Sequence, residues 1–427
     1  MMFFTLEDPN AKIKGSRDPL GTQSIWTAFG RHVVTNLTTQ SNSARGFTIL
    51  LLGRYLADRA IEDGRIGRDR ALDAFLRFEQ IGAYVRHVAH NVESDIRGIE
   101  RVRSRVEEHR GLVPIRADPE GLILADQKVN GLWGLFSVPA RVSRLIPDDA
   151  VGLTFETTKF IEQAYLPRLQ PVINRLSDLV AENGELDTNA SDAMFLELKE
   201  VLSETFTDEE QKFYGDYLRD GLHVKKARPC GQQKFRKLLV HNTDLYKRTG
   251  RREILILRDA ARSVDNKLAI CLDRIVRMEA VLAPSMSLFD FMLTCNRREL
   301  DELAEELGER WGASVPNIDA EKNQDLLDDI RSVWSGTVRE CFDCVQRGLS
   351  GGRYRQGLDA LLKWHKTVMN IRGGASWIQV GEDGKLDVRY RGAEQELPCR
   401  DDLPELWRNS YFIDSLKAIT RQLGAQA

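Results

Sequence analysis

The sequence predicts a mainly α-helical, multi-domain protein with one small β-hairpin near the C-terminus. Over most of the chain, apolar residues recur at intervals of three and four, which is the spacing of an amphipathic helix. The 427 residues include only 13 prolines and 32 glycines, so long irregular linkers are not expected. One segment near the C-terminus alternates with a period of two instead, and this is the spacing of a β-strand.

A chain of this length is too long for one ordinary hydrophobic core, so several domains are expected. Clusters of Gly, Pro, Asn and Asp, such as those at 111–121 and 181–192, mark breaks between helical stretches. These breaks predict an N-terminal helical domain over 1–117, a winged-helix-like segment over 118–170, a helical region with a basic stretch over 171–253, and a C-terminal helical bundle over 254–427 that includes the β-hairpin 376–391.

The composition predicts a globular protein without membrane association. Apolar residues make up 42% of the chain and charged residues 29%, which is typical of globular domains. The first fifteen residues lack the pattern of a secretory signal peptide. The apolar run Phe47–Gly53 is far too short to span a bilayer and is followed by Arg54. We therefore expect a cytoplasmic location.

Within the N-terminal domain, a helical pattern runs through Leu72, Phe75 and Val85. His87 and His90 follow about one helical turn apart, and acidic residues lie nearby. This spacing is compatible with a pair of metal ligands. We interpret the two residues as polar surface histidines, because such histidines are far more common.

Residues 131–166 combine two helical patterns with a short excursion between them. The first helix is expected to kink or break at Pro139, and Thr154 is a good N-cap for the second. The order of a helix, a short excursion ending in Gly152-Leu153-Thr154, and a second helix resembles the later half of a winged-helix domain. The resemblance starts near Asp118 and covers about 45 residues.

The winged-helix resemblance implies a DNA reader, and the residues fit that role poorly. The candidate recognition helix offers only Arg141 and Arg144, and the excursion carries Asp148 and Asp149. These two acids would repel phosphate groups. The resemblance therefore supports a winged-helix-like fold more strongly than it supports DNA binding by this segment.

A heptad pattern predicts one long helix from Ile254 to Leu282. Apolar residues alternate strictly by three and four there, and charged residues flank them. Pro284 is expected to end the helix. We expect this helix to form an internal hairpin with residues 288–310, and a dimeric coiled coil is the alternative.

The β-hairpin is predicted by the segment "SWIQVGEDGKLDVRYRG". Ile378 and Val380 alternate with polar neighbours, Asp383–Gly384 supplies a turn, and the alternation resumes at Leu386.

The strongest functional feature is a basic stretch, defined as His223–Arg252. It holds ten Lys or Arg and one acid, hence a local charge of +9, although the whole chain has a net charge of −3. Lys and Arg neutralise phosphates, and the interleaved aromatic residues Phe235 and Tyr246 would stack on bases. The predicted nucleic-acid-binding residues are Lys225, Lys226, Arg228, Lys234, Arg236, Lys237, Lys247, Arg248, Arg251 and Arg252.

The same basic charge is also compatible with two roles that do not involve nucleic acid. It could balance acidic segments of the same chain, such as 207–211 or 299–309, or it could bind an acidic protein partner.

A metal-dependent nuclease is the alternative function. Glu197 and Lys199 form an E-x-K triplet, and Asp187 and Asp192 lie upstream. In restriction-type nucleases such carboxylates hold magnesium and the lysine orients water, but that pattern lies on a strand, whereas this segment has a helical spacing.

The remaining motifs predict no catalytic residue, metal site or cofactor. Six cysteines are spread over the chain, and Cys341 and Cys344 make one CxxC without a second pair of zinc ligands. We interpret both as buried thiols of a helical segment. The phosphate loop, the dinucleotide fingerprint, the nucleophile elbow and the HExxH motif do not occur in the sequence.

The expected function is that of a non-catalytic accessory or scaffolding subunit. It would contact nucleic acid through the basic stretch and a protein partner within a larger cytoplasmic complex, with bacterial DNA handling or phage defence as the expected context. A purely structural helical protein that binds partners is the third alternative.

Overall fold

The structure is a computed structural model, and it describes residues 18–148, 152–224, 231–242, 245, 247–331, 333–334, 336–390 and 395–424. Helices dominate these residues, which confirms the mainly α-helical fold. The helices are α1 Thr22–Gly30, α2 Ala44–Glu62, α3 Ala71–His90, α4 Ile99–Glu108, α5 Gln127–Asn130, α6 Leu132–Val142, α7 Phe155–Ala164, α8 Leu166–Leu169, α9 Ile173–Ala181, α10 Ala193–Val201, α11 Asp208–Tyr214, α12 Gln232–His241, α13 Arg251–Val264, α14 Asn266–Met292, α15 Leu300–Trp311, α16 Gln324–Arg331, α17 Gly336–Ser350, α18 Tyr354–Ile371 and α19 Ile413–Gln422.

Two small antiparallel sheets, each of two strands, accompany the helices among the described residues. In the first sheet, β1 (Leu112–Ile115) pairs with β2 (Gly184–Asp187). In the second, β3 (Ile378–Val380) pairs with β4 (Leu386–Val388).

The described chain forms two compact units, and each unit combines two separated stretches of sequence. The α2–α12 unit comprises Val34–His241 and Phe412–Ala427, and it includes α19. The α13–α18 unit comprises Met1–Val33 and Asn242–Tyr411, and it includes α1.

The core of the α2–α12 unit is built on the packing of α2 against α3. Ser43 caps α2 by accepting a hydrogen bond from the amide of Gly46 at 3.1 Å. Two glycines let the helices approach closely: a Cβ on Gly53 would lie 3.0 Å from the Phe75 ring, and a Cβ on Gly82 would lie 2.9 Å from Ile49. Larger side chains at these two positions would separate the helices.

The segment predicted to be winged-helix-like contains helices but no strand among its described residues. Helix α6 continues through Pro139 to Val142, and α7 begins after Thr154, so the predicted order of helix, excursion and helix is confirmed. Thr154 occupies the N-cap position, but its hydroxyl donates to the carbonyl of Arg144 and does not accept from a backbone amide of α7. Part of the excursion, including Asp149, lies outside the described residues.

The predicted helix Ile254–Leu282 is wrong as a single element. It is divided into α13 and α14 at Asp265, whose backbone is extended (φ −159°). The two helices pack against each other, and Arg258 on α13 pairs with Asp273 on α14 at 3.1 Å. Most of the apolar seam is therefore buried, but Cys271 is half-buried and Val264, beside the turn, is 54% exposed.

Pro284 does not end α14 as predicted, because the helix continues to Met292. A proline inside a helix removes one backbone hydrogen bond and usually kinks or ends the helix. Here the residues that follow are buried, including Leu288 and Phe289. Burial of these side chains offsets the lost hydrogen bond.

The predicted β-hairpin is confirmed. Ile378 lies opposite Val388, and Val380 lies opposite Leu386. Gly384 adopts a positive φ of 78° in the connecting turn. The predicted end at residue 391 lies outside the described residues.

In the described part of the chain, we find no helix with both the length and the apolar character needed to cross a bilayer.

Candidate nucleic-acid interface

The predicted basic stretch is divided between the two units. Residues up to His241 belong to the α2–α12 unit, and residues from Asn242 onward belong to the α13–α18 unit. Lys225, Lys226, Arg228, Asp244 and Tyr246 lie outside the described residues.

In the first part, α12 is held in place by its buried face. The side-chain amide of Gln232 donates to the Asn36 side chain and to the carbonyl of Leu218, both at 2.9 Å. Phe235 and Leu239 are fully buried. Because these contacts fix the orientation of the helix, its opposite face presents the exposed side chains of Lys234 and Lys237.

Arg236 has a structural role in the α2–α12 unit. Its guanidinium Nε lies 3.0 Å from the Asp220 carboxylate, and each of the two side chains is 4% exposed. Asp220 also pairs with Arg219 at 3.0 Å. A phosphate contact by Arg236 would require this buried pair to open, which is costly. We therefore leave Arg236 out of the candidate interface.

The prediction that Phe235 stacks on bases is wrong. Its side chain is fully buried on the inner face of α12, so no base can reach the ring. A single aromatic residue among lysines has the same local sequence pattern whether it points to solvent or to the core. Helical spacing decides between them here, since Gln232, Phe235 and Leu239 share one face.

In the second part, basic side chains surround the start of α13. Lys247, Arg248 and Arg252 are exposed, and Arg251 is half-buried. Burial lowers the pKa of Arg251 below its ordinary value, and the Glu405 carboxylate acts in the opposite direction. Positive side chains in the first turn of a helix are unfavourable, because the helix N-terminus itself carries a partial positive charge. The stability of α13 therefore does not account for this cluster.

Three exposed basic side chains have no partner among the described residues. Lys237, Lys247 and Arg252 form neither an ion pair nor a side-chain hydrogen bond within the described ranges. Direct pairing with the acidic segments 207–211 and 299–309 therefore does not account for these three residues.

The acidic residues of the nuclease alternative make local structural contacts. Asp192 caps α10 by accepting from the amide of Phe195, and it pairs with Arg175 at 2.6 Å. Asp187 accepts from the side chain of Asn189. Glu197 and Lys199 lie on α10, as the helical spacing predicted.

The other candidate ligands lie on helices as well. His90 is within 2.9 Å of the Lys199 carbonyl oxygen through Nε2. Cys341 is buried on α17, and burial raises the pKa of its thiol to about 11. Cys344 is exposed, so the prediction of a buried thiol is wrong at this position. Across the residues that the structure describes, no three His, Cys, Asp or Glu side chains are grouped so that they could hold a metal ion.

A cavity that the sequence did not predict lies in the α2–α12 unit. We call it the α2–α7 cavity; its volume is about 910 Å³. Its only signal in the sequence is the pair Asp58 and Glu62, one helical turn apart on a helix that is otherwise largely buried. The lining residues are Tyr55, Asp58, Arg59, Ile61, Glu62, Asp63, Arg68, Gly152, Leu153, Thr158 and Glu162.

Comparisons with known proteins give no match: no protein-family model, no curated protein and no solved structure is significantly similar to the chain.

Proposed function

We propose that this chain is a non-catalytic accessory subunit that contacts nucleic acid through the exposed basic residues of His223–Arg252. The observation that carries the proposal is the set of exposed cations without a carboxylate partner in the described residues, namely Lys237, Lys247 and Arg252. Such cations gain free energy by neutralising phosphates, because condensed counterions are released from the nucleic acid.

The chemistry of these side chains supports binding without sequence preference. Lysine and arginine contacts to phosphate oxygens position a protein on nucleic acid but do not distinguish bases. Phe235 is buried, so the described part of α12 offers no aromatic platform for base stacking. We therefore expect backbone contacts to dominate binding.

A protein partner is the second part of the proposal. At the turn of the α13–α14 hairpin, Val264 is 54% exposed and Ile270 is 50% exposed. Exposed apolar side chains lose unfavourable contact with water when a partner covers them. This feature supports a partner that binds at the hairpin turn.

Fluorescence anisotropy with labelled duplex and single-stranded oligonucleotides of unrelated sequence tests the proposal. The affinity should be similar for different sequences and should fall steeply with salt. About five neutralised phosphates imply a slope of roughly −4.5 in a log–log plot for duplex DNA. Absence of binding at the lowest salt would overturn the proposal and leave the purely structural alternative.

A further inference from the structure

The α2–α7 cavity is lined by four carboxylates, and three of them form no ion pair within the described residues. Asp63 pairs with Arg59 at 3.7 Å, so these two lining charges offset each other. Asp58, Glu62 and Glu162 form no ion pair and no side-chain hydrogen bond within the described residues. Arg68 is the remaining cation of the lining, and it has no ion-pair partner among the described residues either.

Asp58 is the carboxylate that gains most from a cation. It is half-buried, and burial raises its pKa, although Arg54 and Arg68 act in the opposite direction. A desolvated carboxylate without a hydrogen-bond donor is unfavourable. A ligand that donates a charged N–H group would remove that penalty.

The carboxylates are spread along the cavity instead of converging on one point. Asp58 and Glu62 are four residues apart on α2, which places their Cβ atoms about 5–6 Å apart. Glu162 approaches from α7. These three are not among any group of side chains that could hold a metal ion in the described residues. A cation with several separated charges fits this arrangement better than a single ion.

Apolar side chains complete the chemistry of the site. Ile61 and Leu153 contribute to the lining. Methylene groups between the charges of a ligand would pack against these side chains.

We propose that the α2–α7 cavity binds an aliphatic polyamine, with its ammonium groups on Asp58, Glu62 and Glu162 and its methylene groups against Ile61 and Leu153. Alternating ammonium groups and short methylene linkers match the alternation of carboxylates and apolar side chains. Neighbouring ammonium groups on a three- or four-carbon linker are also separated by roughly the distance between carboxylates one helical turn apart.

Isothermal titration calorimetry with spermidine at low ionic strength tests this proposal on the full-length chain. A diol of similar length is the uncharged probe and should not bind. Asp58→Asn and Glu62→Gln should each weaken spermidine binding by about tenfold, because each removes a charge-assisted hydrogen bond. Glu200→Gln removes an exposed carboxylate of the same unit outside the cavity and should leave the affinity unchanged.

Arg68→Gln should change the spermidine affinity in the opposite direction. The Arg68 guanidinium competes with the ligand for the carboxylates, so its removal should strengthen spermidine binding by severalfold. This outcome separates a specific site from a loss of folding, because an unfolded variant cannot bind more tightly. Absence of spermidine binding, or equal affinity for the wild type, Asp58→Asn and Glu62→Gln, would overturn the proposal.

Discussion

Arg45 and Glu210 form a buried ion pair in the core of the α2–α12 unit. Arg45 Nη1 lies 2.6 Å from Glu210 Oε1, and the side chains are 1% and 5% exposed. The hydroxyl of Tyr165 also donates to Glu210 at 2.7 Å, and the Arg45 guanidinium lies 4.0 Å from the centre of the Phe206 ring. The carboxylate therefore holds α2, α11 and the residue that follows α7 together.

Loss of either charge of this pair should strongly destabilise the protein. Glu210→Gln keeps the shape of the side chain but leaves Arg45 as a buried charge without its partner, and this typically costs about 3–5 kcal/mol. Urea unfolding followed by circular dichroism measures the effect. In Arg45→Met/Glu210→Leu no buried charge remains, so the double variant should lose less than the sum of the two single variants. A cost below about 1 kcal/mol for Glu210→Gln would contradict this role.

The imidazole of His365 should make the α13–α18 unit sensitive to acid. Burial lowers the pKa of His365 from 6.5 to about 4. Nδ1 lies 2.9 Å from the Pro19 carbonyl oxygen and donates to it, and Nε2 accepts from the amide of Trp377 at 2.8 Å. The fold therefore requires the neutral form, and protonation would remove the acceptor at Nε2.

The sign of this pH dependence follows from the lowered pKa. The stabilising contribution is fully present above pH 6.5, and it is lost as the pH falls from 6.5 through about 4, because only the unfolded chain takes up the proton in that window. Urea unfolding at several pH values should show a smaller loss of stability between pH 7 and about 5 in His365→Gln than in the wild type. Identical pH dependence of the two proteins would show that another group controls acid stability.

A pair of glycines between α17 and α18 predicts an asymmetric response to alanine. A Cβ on Gly348 would lie 2.8 Å from the backbone of Gly357, whereas a Cβ on Gly357 would meet nothing closer than 3.8 Å. Gly348→Ala should therefore destabilise the protein by about 1–3 kcal/mol through overpacking. Gly357→Ala should be neutral or stabilising by about 0.5–1 kcal/mol, because alanine favours helix. Thermal unfolding of the two variants checks the order, and equal melting temperatures would contradict it.

Asp265 should stabilise the turn between α13 and α14. Its carboxylate accepts from the amides of Lys267 and Leu268 at 2.9 and 3.3 Å. Asp265→Ala should cost about 1 kcal/mol, as expected for the loss of an N-cap. Asn266→Ala, at the exposed neighbouring position, is the matched control and should have little effect in the same unfolding experiment. Equal costs would argue against the capping role.

The same residue shows what the sequence could and could not predict. A heptad pattern reports which residues are buried, and Ile254, Leu257 and Leu268 are indeed buried. It does not report whether the helix continues, because the same apolar seam is satisfied by one long helix or by two helices folded against each other. Asp265 was the available signal, since aspartate favours the N-cap position.

Contacts between distant parts of the chain account for the remaining differences between the predicted and the observed structure. Strands β1 and β2 occur where the sequence indicated breaks, because their pairing joins Val113 to Leu186, which no local pattern reveals. The C-terminal hairpin, in contrast, is predicted by local signals, since its register depends on the turn at Gly384. The candidate interface follows the same rule: charge is visible in the sequence, but the pairing of Arg236 with Asp220 is not.

Charge reversal in each part of the basic stretch tests the central claim most directly. Lys234→Glu/Lys237→Glu alters the α2–α12 unit, Lys247→Glu/Arg252→Glu alters the α13–α18 unit, and Lys159→Glu/Lys212→Glu changes two exposed lysines outside the stretch. Anisotropy with a labelled duplex at low salt should show binding weakened by about tenfold or more in the first two variants but not in the third, with all three folded as the wild type. Equal weakening in all three variants would show that binding depends on the net charge of the protein and not on the basic stretch. Unchanged binding in the first two would contradict the proposed interface.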